Sequence, residues 1–346
     1  MNPRPLLVRF GALGDMVMLT VAIRHLHQRF GQPVDLIAAA PWTPELLRQQ
    51  PGVGEILLLG SRKGWYPLSG AQQGLVRSLQ QRGAGPTWLC DHDNDKICEL
   101  LLRAGWTPAH WCHHEDMPGL TGSHFCERWL RFAYRDPPVL GGQDHRPPTD
   151  DAFGELVVTE AQRREVEVWA GSRPWGDRPL ILIQAGNKRT MRRGLRRRRS
   201  NSKYWPEQSW AQLLRGLRER HPQHALLLLG VATESALNRD ILRRATVEHA
   251  YDVVPELSLS RLLGLAARAV GMISVDTGPA HVAAAVGGRV VTIFGTSEPF
   301  MYAPRGRHAV VRCVVAEYEG RRSMRYISPE PVLQAWQSAV TAGSSG

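Results

Sequence analysis

The chain of 346 residues lacks any run of about 18 uninterrupted apolar residues, which argues against a helix that crosses a bilayer. Its start, "MNPRPLLVRFGALGDM", has neither the apolar centre nor the small-residue cleavage site of a secretion signal, so a cytoplasmic protein is expected. Cysteine is scarce: five residues, an odd number without the spacing of a disulfide framework, and the thiols are expected to stay reduced. Acidic residues are outnumbered, 32 against 43 Lys and Arg, giving a formal charge of +11. The excess is local, because "KRTMRRGLRRRRSNSK" at 188–203 holds nine of the 43 cations and the other 34 nearly balance the acids. That distribution excludes the all-over basic surface of a nucleic-acid coat. A solvated loop or a dock for an acidic, phosphorylated or membrane-associated partner remains open for the run, with nucleic acid the less favoured reading.

What is present is alternation. "LLVRF" reads as a short buried strand, "GALGD" as a turn, the stretch up to Gly31 as a helix and "PVDLIAAA" as a second strand, the start of a right-handed βαβ unit. Helices are expected at 43–50, 69–81, 96–104 and 160–170, with strands at "GEILLLG" and "PTWLCDHD". The Pro- and Gly-rich stretch 137–151 reads as irregular, and "GSRPWGDRP" as an interdomain linker. After it the pattern restarts with "LILIQAG", "ALLLLG", "AYDVV", "AVGMISV" and "RVVTIFG", separated by helices at 206–219, 234–245, 258–267 and 279–286. Continuous Leu/Ile/Val strands belong to parallel sheets covered on both faces. The expected class is therefore α/β, with two doubly wound Rossmann-like domains in series whose ligands sit at the carboxyl ends of the strands.

Two stretches carry chemistry. In "SVDTGPAHVAAAVGG", a strand runs into Asp276-Thr277-Gly278 and then Pro279, whose fixed φ suits the start of a helix. Thr277 or Asp276 is placed to cap, Gly278 clears a ligand's approach to the backbone, and His281 lies in the first turn. Free N–H groups and the positive dipole end make such a terminus an anion site. In "GALGD", Gly11 and Gly14 relieve crowding and Asp15 falls at the start of the first helix, either as a cap or as a general base for a hydroxyl proton. The glycines are three apart and the GxGxxG spacing of a dinucleotide fold is missing here.

With "VRFGALGDMVMLTVAIRHL", "KYWPEQSWAQLLRGL", "LLLLGVATESALNRDI" and "SVDTGPAHVAAAVGGRVVTIFGTSEP" in this order, and "SPEPVLQAW" near the end, the chain resembles the family 9 glycosyltransferases, the heptosyltransferases of lipopolysaccharide core synthesis. The resemblance implies the GT-B architecture, with two Rossmann-like domains facing each other across a cleft. It implies an acceptor domain at 1–170, a linker at 171–178, a nucleotide-sugar domain at 179–325, and a C-terminal helix and tail at 326–346. By match to the family's motifs, Asp15 is the base of a single inverting displacement. Lys203 neutralises the leaving phosphate, and Glu234 takes the donor's ribose hydroxyls. Gly14, Asp276, Thr277, Gly278, Pro279 and His281 complete the donor loop. The implied donor is ADP-heptose and the implied acceptor a lipopolysaccharide inner core, with no cofactor or metal and no nucleic acid as partner. A different nucleotide sugar or a protein acceptor are the alternatives within the family, and a nucleic-acid-binding module or a catalytically silent relative the non-enzyme ones.

The chain departs from the family by inserting the arginine run before Lys203. Arg196, Arg197, Arg198 and Arg199 are therefore assigned to an acidic acceptor or to the cytoplasmic face of the inner membrane, and Lys188 or an arginine competes with Lys203 for the phosphate role. Residues 90–126 hold four of the five cysteines and five of the 13 histidines. Without CxxC spacing, core cysteines are expected there rather than a metal centre. Trp65, Trp106 and Trp111 are expected mainly as core, with sugar stacking the lesser reading.

Overall fold

The computed structural model describes residues 4–119, 122–187, 201–315, 317–318 and 321–342. Its internal contacts divide it into two units, Met1–Phe153 and Gly154–Gly346.

The first unit is built on five parallel strands: β1 (Leu6–Val8), β2 (Val34–Ala38), β3 (Val53–Leu58), β4 (Thr87–Leu89) and β5 (Trp111–His113). Their order is β3-β2-β1-β4-β5. β1 lies in the middle, with Leu7 beside both Leu36 and Trp88, and all three of its residues are fully buried. Helices α1 (Leu13–Phe30), α2 (Thr43–Leu47), α3 (Gly70–Arg82), α4 (Asp95–Arg103) and α5 (Phe125–Ala133) accompany the sheet. α1 stops at Gly31, whose φ of 62° lets its N–H bond back to the His27 carbonyl. On one face, Leu6, Val8, Ile37 and Leu89 meet Leu75 and Leu79 of α3 and Ile97 and Leu100 of α4. The buried carboxylate of Asp35 is matched by Arg4, Arg82 and the Glu55 N–H, the arrangement that a charge removed from water requires.

The second unit holds β6 (Leu180–Gln184), β7 (Ala225–Leu228), β8 (Ala250–Asp252), β9 (Gly271–Val275), β10 (Arg289–Phe294) and β11 (Val310–Val315). These are all parallel, in the order β11-β10-β9-β6-β7-β8. Its helices are α6 (Glu160–Gly171), α7 (Glu207–Arg220), α8 (Ser235–Ala245), α9 (Leu259–Arg268), α10 (Gly278–Ala285), α11 (Pro299–Tyr302) and α12 (Pro329–Thr341). Ile181, Ile183, Ile273 and Ile293 from the sheet pack with Trp205, Trp210 and Trp336 in one core.

The division falls at Phe153/Gly154, ahead of the linker read from the sequence, so α6 belongs with the second unit. The reason is packing: Val166 sits against Gly264 of α9 so closely that a Cβ there would come within 2.5 Å of it. Glu165 also accepts from Ser260 Oγ (2.5 Å) and Arg261 Nε (3.1 Å). Among the described residues no helix is long and apolar enough to cross a membrane.

Candidate functional site

In each sheet the chain starts in the middle, works outward to one side and then returns to fill the other. The order therefore reverses between β1 and β4 in the first unit and between β6 and β9 in the second. At such a point two adjacent strands send their following loops in opposite directions, leaving a crevice beyond their carboxyl ends. The motif residues of both units gather at these two places.

In the first unit, β1 continues through Arg9 and Phe10 into the turn that opens α1. Asp15 stands in the first helical turn and its Oδ2 accepts from the Ala12 N–H at 2.8 Å, so it does cap the helix. Its other oxygen, Oδ1, meets Arg9 Nη2 at 3.1 Å. The same guanidinium reaches past β1 with Nη1 to Asp91 Oδ1 (2.9 Å) and the Cys90 carbonyl (3.1 Å), at the end of β4. Asp91 is itself fixed by the Phe10 N–H on Oδ2, at 2.8 Å. The arginine lies 5.2 Å from the ring centre of Trp129 on α5. Gly11 is needed where it stands: a Cβ would come within 2.5 Å of the Asp15 Cβ. Gly14 is buried in the first turn of α1.

Next to this cluster, His114 is buried against Trp129 and Phe132, with ring centres 4.6 and 5.5 Å away. Burial, reinforced by the charges of Arg128, Arg9 and His92, lowers its pKa to about 4, so it is neutral at physiological pH. Cys90, Cys112 and Cys126 are core residues, and burial holds the thiols of Cys90 and Cys112 well above their ordinary range. His124 caps α5 through the Cys126 N–H. Among the described residues no three of His, Cys, Asp and Glu are arranged to hold a metal ion. Trp106 and Trp111 are buried in the apolar core, which removes them as sugar platforms, whereas Trp65 is exposed.

In the second unit, β9 ends at Val275, and Asp276 and Thr277 lead into α10. Lys203 Nζ lies 2.6 Å from Asp276 Oδ2 and 3.1 Å from the Asp276 carbonyl. Ser297 Oγ donates to the same carboxylate at 2.8 Å. Thr277 occupies the cap position with extended backbone but makes no capping bond, and its Oγ1 is buried without a partner among the described residues. Gly278 takes the first helical position and Pro279 the second, so neither adds a side-chain donor; Pro279 has no N–H and the Ala280 N–H bonds to the Thr277 carbonyl at 3.2 Å, which leaves the Gly278 N–H facing outward from the terminus. His281, the fourth helical residue, is buried.

Across the reversal, Gln184 closes β6 and donates its Nε2 to Glu234 Oε2 at 3.2 Å. The Val231 N–H donates to the same oxygen at 3.0 Å. Gly186 and Gly230 flank this carboxylate, and a Cβ on either would come within 2.7 Å of it. Burial raises the pKa of Glu234, and the two hydrogen bonds oppose that shift. Lys203 is held at its backbone by Asn201 Oδ1, and Asn187 donates to the Lys203 carbonyl, which joins the two ends of the arginine run. Residues 196–199 of that run lie outside the described residues.

Thus Lys203, Asp276, Thr277 and Gly278 come together in the second unit, with Glu234 beyond β6, while Asp15 sits at the equivalent point of the first unit. Arg9 and Asp91 were not singled out from the sequence. The signal for Arg9 was a lone cation inside an apolar strand, and for Asp91 a carboxylate directly after one.

A family model described as glycosyltransferase family 9 (heptosyltransferase) matches residues 148–330. Lipopolysaccharide heptosyltransferase 1 of Pseudomonas aeruginosa is 32% identical, over 89% of this chain and 82% of its own length. Lipopolysaccharide heptosyltransferase 2 of Salmonella typhimurium is 22% identical, over 95% and 96%. Among solved structures, ADP-heptose lps heptosyltransferase II of E. coli superposes with a TM-score of 0.75 at 21% identity, covering 99% of this chain and all of the other.

Proposed function

The chain belongs to glycosyltransferase family 9, the heptosyltransferase family, and from that premise we propose that it moves heptose from ADP-heptose to a lipopolysaccharide inner-core acceptor, inverting the anomeric centre. In this reading Asp15 takes the proton of the acceptor hydroxyl as that oxygen attacks the anomeric carbon. The bond from that carbon to the diphosphate breaks, and ADP leaves with the electron pair. Charge that grows on the leaving diphosphate meets Lys203 and the Gly278 N–H at the start of α10, donors already in place before the reaction. Glu234 accepts from the ribose hydroxyls. Arg196 to Arg199 hold an acidic acceptor or an anionic surface, at the cytoplasmic face of the membrane.

The observation that carries the reading is the placement of Lys203 against Asp276 at the mouth of α10, beside a buried threonine hydroxyl without a partner among the described residues. A diphosphate there gains a cation, a hydroxyl donor and the Gly278 N–H together. Turnover of ADP-heptose with a core acceptor, compared between the native chain and Asp15→Asn, is the test. The variant is expected to lose turnover while ADP still raises the melting temperature. Stabilisation by UDP or GDP in place of ADP would overturn the donor assignment, and full turnover by Asp15→Asn would overturn the base.

A further inference from the structure

From residue 56 to residue 90 the chain carries Arg62, Lys63, Arg77 and Arg82 and no Asp or Glu. Arg82 is spent inside the unit on Asp35. The others lie on the loop after β3 and on the outer side of α3. In the middle of that loop, Trp65 is 69% exposed and Leu68 82% exposed. Of the eleven tryptophans, Trp65 alone is exposed; the remainder are buried or half-buried.

Single exposed apolar residues are ordinary on a soluble protein. These two differ because they are presented together by a pinned turn. The Leu68 N–H bonds to the Trp65 carbonyl at 3.1 Å and closes the single 3₁₀ turn Tyr66–Leu68. Tyr66, between them, points the other way and packs on the apolar core, with the Arg103 guanidinium 4.3 Å from its ring centre. Gln73 of α3 donates to the Tyr66 and Pro67 carbonyls. Arg62 fixes the loop's start, lying 4.9 Å from the Phe10 ring centre and donating to the Asp93 carbonyl. The loop therefore holds an indole and a leucine outward beside the exposed cations Lys63 and Arg77, while Asp93 lies at its Arg62 end and Glu99 is paired with Lys96 and Arg103.

We propose that the turn Trp65–Leu68, with Lys63 and Arg77, is a docking surface for an anionic lipid bilayer. Tryptophan suits the boundary between headgroups and hydrocarbon because its ring is apolar and its N–H polar. Leu68 adds buried area, and the cations meet the negative surface potential of anionic lipid, whose effect is additive with insertion. A protein partner would be expected to offer carboxylates to this surface and to need complementary shape. The protruding pair and the exposed cations Lys63 and Arg77 beside it fit a fluid anionic layer better. The loop follows β3 at the carboxyl edge of the sheet, the edge that also carries Asp15, and Arg62 touches Phe10 beside that turn. If the transfer reading holds, a lipid-borne acceptor arrives on the side of the base; the docking itself does not depend on that reading.

The experiment is flotation of the full chain with phosphatidylglycerol-containing or pure phosphatidylcholine vesicles, at about 0.15 M salt, without donor or acceptor. Trp65→Ser/Leu68→Ser keeps every cation, the arginine run included. It is expected to lose about tenfold in partition to the anionic vesicles while its melting temperature stays unchanged. Brominated lipid is expected to quench a part of the native fluorescence that Trp65→Phe removes. Unchanged partition of the double variant, or absent quenching, would overturn the proposal. So would a native dimer that the double variant turns into monomers without a change in partition, since the face would then be a contact between copies. Turnover in detergent by the double variant, with vesicle binding lost, separates failure of docking from failure of the transfer reading.

Discussion

One guanidinium, that of Arg9, joins Asp15 to Asp91 across β1, with Nη2 on the first carboxylate and Nη1 on the second. The two acids come from turns 76 positions apart and meet because β1 and β4 are neighbours. Asp91 is clamped a second time by the Phe10 N–H, so Arg9 is held at one end by a fixed group and holds Asp15 at the other. Asp15→Asn is expected to lower kcat by about 10²- to 10⁴-fold, the range for loss of a positioned base. Arg9→Met leaves the carboxylate but frees its orientation, and an intermediate loss in kcat with unchanged ADP affinity is expected. Single-turnover rates together with calorimetric ADP titration check both.

Gly11→Ala tests the same turn by shape alone. The added methyl collides with the Asp15 side chain, so turnover is expected to fall by at least tenfold while circular dichroism stays native, because the conflict displaces a side chain at the edge of the unit and not the core. Native rates for this variant would show that the carboxylate tolerates displacement.

Lys203 and Asp276 give a second expectation. Lys203→Met removes the cation and leaves a nearly buried carboxylate at the mouth of α10, so ADP affinity is expected to fall about 10- to 100-fold, the equivalent of one charge-assisted hydrogen bond. Asp276→Asn keeps the lysine but loosens its placement, and a smaller loss is expected. Calorimetric titration with ADP at fixed salt orders the two.

His114 predicts a pH dependence of stability. Its folded pKa of about 4 lies below the ordinary 6.5, so the unfolded chain takes up a proton first as pH falls. Stability from this residue is complete above pH 6.5 and is lost between there and pH 4, reaching about 2 kcal/mol by pH 5. His221 and His224 of the second unit, shifted downward by burial, act in the same direction. The comparison is therefore between the native chain and His114→Phe: urea midpoints at pH 7 and pH 5 are expected to differ less in the variant.

Gly264→Ala tests the assignment of α6. A methyl there meets Val166 and the Gln162 carbonyl, and overpacking of this kind costs about 1–3 kcal/mol. A lowered unfolding midpoint for the second unit is expected; an unchanged one would mean that α6 is not docked on α9.

The α/β class and the place of most strands were legible because continuous Leu/Ile/Val runs such as "LILIQ" and "ALLL" are what sheets covered on both faces require. β5 was missed because three residues, "WCH", carry no period. α5 was missed because its Cys, His and Trp neighbours drew attention as possible ligands, although "FCERWLRFA" has helical spacing. Asp15, Lys203 and the loop 276–281 were named through motif resemblance and helix-start chemistry. Arg9 was hidden because a strand cation looks like a departure from apolar pattern until the strand order shows which turns it lies between. The linker read at 171–178 and the contact division at 153/154 rest on different signals: composition marks the most breakable stretch, while the contact division follows which helix packs on which.

Lys203 reaches any ligand with its charge already answered. An anion must share the ammonium with Asp276, whose carboxylate and carbonyl already take two of its directions, so a bare phosphate or chloride with nothing else to offer is held more weakly than a ligand with further contacts. Discrimination then rests on what a ligand offers beyond charge, namely the atoms that reach the Thr277 hydroxyl, the backbone of α10 and the groups beyond. An internal counter-ion of this kind makes the second unit a poor trap for anions that offer nothing beyond charge.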